Sequence, residues 1–136
     1  MILLRLLVLA VGTFAVAVRI EGGSSGSNLA DSVPTTFLAA GKTVEIKFPQ
    51  GANYRRIIIS QDQSVSGPQI FRVCNGKNKK TCGFWENVQT KKKMASGATS
   101  YNKNKKALIV KNLKTSDFGI YTTGNGKIFH NVLEIK

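Results

Sequence analysis

From Pro34 onward no window keeps its apolar residues at helical spacing; short runs rich in β-branched and aromatic residues alternate with turn signals instead. Val44–Phe48 alternates apolar with charged residues, as a half-buried strand does. Tyr54–Ser60 contains Ile57, Ile58 and Ile59, a run that predicts an interior strand. Ile70–Cys74 and Cys82–Trp85 flank a polar loop, Asn75–Thr81. Ala107–Leu113 puts Leu108 and Val110 on one face. Gly119–Thr123 and Ile128–Ile135 flank Gly124–Lys127, whose Asn125-Gly126 pair is a strong hairpin signal. About eight short strands without a helix predict an all-β fold, an antiparallel β-sandwich.

The first segment reads differently. Residues 1–17 carry one cation, Arg5, and then an apolar run of 12 residues from Leu6 to Ala17. That is too short for the roughly 20 residues of a membrane-spanning helix, and it suits a signal peptide cleaved after Ala15-Val16-Ala17. Residues 18–33 hold the Gly/Ser-rich stretch Glu21–Asn28 and predict a flexible N-terminal segment. Gly22 to Gly26 formally matches the G-x-S-x-G nucleophile elbow. That elbow needs a strand before it and a helix after it, and linker follows here, so the match is one of composition only. The C-terminal Val132–Lys136 has no apolar tail, and a soluble, secreted, extracellular product is the expectation. Cleavage leaves 19 cations against 7 acids, a formal charge of +12. None of the ten Asn residues begins an N-x-Ser/Thr sequon, so no N-glycan is expected on the surface.

Within 34–136, two segments resemble the immunoglobulin superfamily. Gly41–Phe48 resembles its B strand, a Gly followed by alternating apolar positions. Ala107–Tyr121 resembles strand E through strand F, with the D-x-G-x-Y signature in Asp117, Gly119 and Tyr121. The resemblance implies an immunoglobulin-like domain in which Leu108, Val110 and Leu113 point inward while Asn112 and Lys114 point out. Gly119 would permit a tight corner, and the Tyr121 hydroxyl would return to upstream backbone. It also implies that the acid at Asp117 pairs with a base at the start of strand D. Lys92 and Lys93, just before Met94–Ser100, are the candidates, and backbone N–H groups of the corner could serve as well. The family's two core cysteines would fall at Phe48 and Thr123, so the usual inter-sheet disulfide is absent. Its core Trp on strand C has no counterpart, because Ile57–Ile59 occupy that region.

Cys74 and Cys82 are the only thiols of a chain that enters the secretory pathway, and they are expected to pair. Zinc normally needs four ligands, which the single His130 and two Cys cannot complete, and the spacing is not C-x-x-C. No metal and no cofactor are expected. An enzyme is not expected either: no HExxH motif or close acid pair exists, and His130 has no candidate nucleophile near it in sequence.

The lysines cluster as Lys77, Lys79 and Lys80, then Lys91, Lys92 and Lys93, then Lys103, Lys105 and Lys106. Solvated loops that keep a secreted protein soluble are one reading. The other follows from the resemblance. If 69–74 and 82–88 are strands C′ and C″, the first and third clusters share one face with the Asn125-Gly126 turn. There they would attract sulfated glycans or acidic protein surfaces. Nucleic acid is not expected, for lack of aromatics among those lysines. The function these features imply is a secreted recognition protein working by non-covalent surface contacts with an extracellular protein or anionic glycan. The alternative is a cationic antimicrobial or membrane-surface-active protein, although no basic amphipathic helix is present for stable membrane insertion.

Overall fold

The structure is a computed structural model that describes residues 32–62 and 64–136; the leader, its cleavage site and the Gly/Ser-rich stretch lie outside the described residues. Pro34–Ser60 and Ser64–Lys136 make one unit. Its strands are β1 (Thr35–Leu38), β2 (Val44–Lys47), β3 (Asn53–Ile58), β4 (Gln69–Arg72), β5 (Trp85–Asn87), β6 (Ala98–Asn102), β7 (Ala107–Lys111), β8 (Gly119–Thr123) and β9 (Phe129–Glu134). They form a six-stranded sheet in the order β1-β9-β8-β3-β4-β5 and a three-stranded sheet in the order β2-β7-β6. The molecule is an all-β sandwich. One pair departs from the antiparallel expectation: β1, which the sequence pattern had not marked as a strand, runs parallel to β9.

The core lies between the sheets. Val44 and Ile46 of β2 and Leu108 and Val110 of β7 face Tyr54, Phe71, Tyr121 and Val132 from the larger sheet. Leu113 is buried while Asn112 and Lys114 are exposed, as the corner pattern implies. Phe48, where a family cysteine would fall, is buried and stacks on Tyr54 at 5.8 Å between centroids; Tyr54 stacks in turn on Tyr101 at 5.4 Å. Both hydroxyls are satisfied, Tyr54 donating to the Pro49 carbonyl and Tyr101 to that of Phe48, each at 2.7 Å. Thr123, the other cysteine position, is also buried and lies opposite Tyr54 in the β3–β8 register. An aromatic stack thus fills this region between the sheets.

β3 is central in its sheet, the interior strand that its isoleucine run predicts. Tyr54, Arg56 and Ile58 point inward, whereas Ile57 is 38% exposed, because the strand's outer face meets solvent. β3 carries no tryptophan, as the sequence indicates; Trp85 is supplied by β5 and is fully buried. It packs on Phe71 and, edge-on, on Tyr121, and its indole N–H donates to Thr99 Oγ1 at 3.0 Å. β5 starts at Trp85 rather than Cys82, and β6 at Ala98 rather than Met94. The partner of Asp117 is a further correction. Lys92 and Lys93 are exposed, and the fully buried Arg56 donates to Asp117 Oδ1 at 2.7 Å instead.

Arg56 succeeds where a lysine could not, because a guanidinium carries five donors in a fixed plane. Its Nη1 also donates to the Tyr121 hydroxyl at 2.9 Å, its Nε donates to Gln69 Oε1 at 2.8 Å, and its plane lies 4.2 Å over the Trp85 ring. The backbone N–H groups of Gly97 and Lys114 complete the Asp117 carboxylate at 2.8 Å each, with the Ser96 hydroxyl on the other oxygen. Tyr121 donates to the Asp117 carbonyl, which pins the short 3-10 turn Thr115–Asp117 that leads into β8. Burial of the phenol pushes the Tyr121 pKa up to about 12. Gly119 serves strand approach rather than a turn conformation. A Cβ there would lie 2.0 Å from the Ile57 carbonyl oxygen of β3.

Candidate functional site at the lysine-rich end

The strand directions bring four connections to one end of the sandwich: 48–52 between β2 and β3, 73–84 between β4 and β5, 103–106 between β6 and β7, and 124–128 between β8 and β9. Each is shaped by its own side chains. In the second, Cys74 and Cys82 are bridged with Cα atoms 5.0 Å apart. Asn75 Oδ1 accepts the N–H groups of Lys77 and Asn78, and Asn78 returns the interaction by accepting from Asn75 N–H at 2.9 Å. Asn78 Nδ2 then ties the turn to the Val73 carbonyl at 3.1 Å. Asparagine suits this work because its amide can cap local backbone. The loop therefore displays Lys77, Lys79 and Lys80 on a braced backbone, all three exposed.

The third connection is tightened by Asn102 Oδ1, which accepts from Lys105 N–H at 3.0 Å. In the fourth, Asn125 Oδ1 accepts from Lys127 N–H at 3.0 Å and from the Thr123 hydroxyl at 2.6 Å. Gly126 takes the left-handed conformation that such a hairpin requires, at φ 71°.

Between these loops lies an open cleft of about 770 Å³. Residues 50–53 form one wall, residues 72–75 with Asn78 form the other, and Lys103 reaches it from the smaller sheet. A second cleft of about 270 Å³ shares residues 50–53 and is closed by Thr123, Gly124, Asn125 and Ile128. Lys103 and the base of the disulfide loop are thereby brought together, next to the Asn125 turn. Lys105 is not part of this group: it turns to the sheet's outer surface and pairs with Glu45 Oε2 at 2.8 Å. Its hydrogen bond and charge hold the Glu45 carboxyl below the usual carboxylate range. Lys106 is exposed in the same turn, at a left-handed φ of 51°. Lys91 and Lys92 belong to the turn that leaves β5 at the opposite end, whereas Lys93 returns along β5, bridging Glu86 and lying 5.4 Å over the Phe84 ring of the second connection.

The charge at this end is one-sided. Its four loops contain Lys77, Lys79, Lys80, Lys103, Lys105, Lys106 and Lys127 and not one Asp or Glu. Arg72, in the cleft wall, is held by Glu86 at 2.8 Å and donates weakly to the Thr81 carbonyl. That ion pair lowers the Glu86 pKa. Such an arrangement can attract anions and donate to polar groups. His130 lies apart, between β9 and β1, with Nε2 2.8 Å from Thr36 Oγ1, and burial lowers its pKa. Among the described residues no cluster of three or more His, Cys, Asp or Glu side chains could hold a metal ion.

Reading from the lysines alone missed the walls of the cleft, residues 50–53 and Arg72. The signal that could have found them is the Gly-Ala-Asn stretch Gly51–Asn53, which follows Pro49 between two alternating runs. No protein-family model matches the chain, and no match is found among curated proteins.

Proposed function

We propose that this chain is a secreted recognition protein carrying an immunoglobulin-like domain of the variable type, which meets an extracellular partner through the loops of its lysine-rich end. The observation that carries this reading is the strand order. In a variable-type domain the G, F, C, C′ and C″ strands share one sheet while B, E and D share the other. Here β9, β8, β3, β4 and β5 stand in that order opposite β2, β7 and β6. The Asp117, Gly119 and Tyr121 corner falls between the strands that would be E and F, which supports the same reading. On it, the connections at 48–52, 73–84 and 124–128 correspond to the loops that variable domains use for binding. The partner is an extracellular protein or an anionic glycan, held by non-covalent contacts.

The test is a cell-surface binding assay with the secreted chain and two variants. Replacing Lys77, Lys79 and Lys80 by Ala should abolish binding; replacing Lys42, Lys91 and Lys92 should leave it. Binding that survives the first variant unchanged refutes the loop-end reading. A second reading, a membrane-surface-active protein, has Ile128 and Phe129 in its favour, which are 45% and 42% exposed beside Lys127. Leakage from anionic vesicles at low concentrations of the secreted chain would support it over the first.

A further inference from the structure

We infer that the cleft between residues 50–53 and the disulfide loop is a binding site for a sulfated polysaccharide, with Lys103 in its wall and Lys77, Lys79 and Lys80 exposed on the disulfide loop that edges it. This rests on the reading of that end as a recognition surface and names its ligand.

Three observations converge on it. The first is charge without counter-charge. None of the three ion pairs found among the described residues uses Lys77, Lys79, Lys80 or Lys103, and the four loops around them contain no carboxylate. Cations gathered at one end of a molecule without nearby counter-charge reinforce one field and gain most from a ligand with several fixed charges. The second is the lining. No aromatic ring borders the cleft, so neither sugar-face stacking nor base stacking can hold a neutral glycan or a nucleic acid there. Its side chains are mainly amides and cations, Gln50, Asn53, Asn75, Asn78 and Lys103, which suit sulfate oxygens and hydroxyls.

The third is preorganisation. The cystine and the reciprocal Asn75 and Asn78 hydrogen bonds already fix the loop that displays the three lysines, so binding orders little further backbone. An acidic protein face fits less well, because such interfaces rely on a central apolar or aromatic anchor and this cleft offers only Ala52 and Val73 for one to pack against.

The experiment titrates the secreted chain with a short heparin oligosaccharide at several salt concentrations. One variant replaces Lys77, Lys79, Lys80 and Lys103 by Ala. A control replaces Lys42, Lys91, Lys92 and Lys111, removing equal charge elsewhere. All eight lysines are exposed, and circular dichroism checks that both variants fold. Each charge neutralised on a linear polyanion releases about 0.7–0.9 of a counterion. The first variant should therefore bind about tenfold more weakly or worse and lose about three units of salt slope, while the control stays within about twofold of the parent.

Equal weakening of both variants would mean a diffuse polycation and overturn the site. Retained affinity for heparin stripped of its sulfates would overturn the ligand class. Capture by phosphatidylserine vesicles in place of heparin would assign a membrane and overturn it too. No binding to heparin, with cell-surface binding still dependent on Lys77, Lys79 and Lys80, would remove the sulfated ligand and leave the recognition surface standing.

Discussion

Arg56 and Asp117 are both fully buried and 61 residues apart in the chain, and each leaves the other a charge in the core if it is removed. Truncating one member of such a pair costs about 3–5 kcal/mol, whereas replacing both by apolar residues of similar volume is far milder. Asp117→Leu alone should therefore lose about 3–5 kcal/mol in urea melts. The double variant Arg56→Met with Asp117→Leu should lose much less than the two single losses added. Additive losses would show that the pair is not coupled. His130 is the other residue whose environment has a measurable consequence. Its folded pKa is lowered by burial, so the unfolded chain takes up the proton first as pH falls. Stability is then full above the unfolded pKa of about 6.5, declines as pH falls from there to the folded pKa, and is flat below it. Urea melts at about pH 8 and about pH 5 should show a decline that His130→Gln reduces. An identical decline in the variant would place its origin in other groups.

At the scale of elements, β8 and β3 approach so closely at Gly119 that the strand pair depends on a missing side chain. Gly119→Ala puts a methyl group against the Ile57 carbonyl and should cost at least about 3 kcal/mol, measured by thermal or urea unfolding. Gly126→Ala, in open space at φ 71°, should cost only about 1–2 kcal/mol for its left-handed backbone. A reversal of that order would mean that β8 and β3 separate easily. The same contrast shows how much of the molecule its sequence discloses. The β7-to-β8 stretch is legible because Leu108, Val110, Leu113 and Tyr121 follow local rules of alternation and turn chemistry. The Asn125-Gly126 hairpin is legible for the same reason. Arg56 is not, because its inward place is decided by Asp117, Gln69 and Trp85, which arrive from three other segments. β1 is illegible because a four-residue parallel edge strand has little pattern of its own. At the loop end, the lysines were visible as clusters. That Lys103 joins the disulfide loop while Lys105 turns to Glu45 depends on where the two sheets meet.

On the scale of the whole molecule, the one cystine joins neighbouring ends of two adjacent strands and leaves the two sheets unlinked. Closing a nine-residue loop contributes about 2.5 kcal/mol in the chain-entropy description. Reduction should therefore lower the unfolding midpoint modestly while the near-ultraviolet circular dichroism of Trp85 and its aromatic neighbours persists. Loss of that signal on reduction, under otherwise native conditions, would show that the sandwich needs the bridge. The placement also bears on how a cell makes this protein. Most of the sandwich core can assemble before any oxidant acts, since the Phe48, Tyr54 and Tyr101 stack between the sheets forms without a covalent link. Two thiols allow only one intramolecular pairing, so no shuffling of wrong partners delays maturation. Oxidation becomes a finishing step that braces one loop after folding, and the same domain can be made in a reducing compartment and oxidised afterwards.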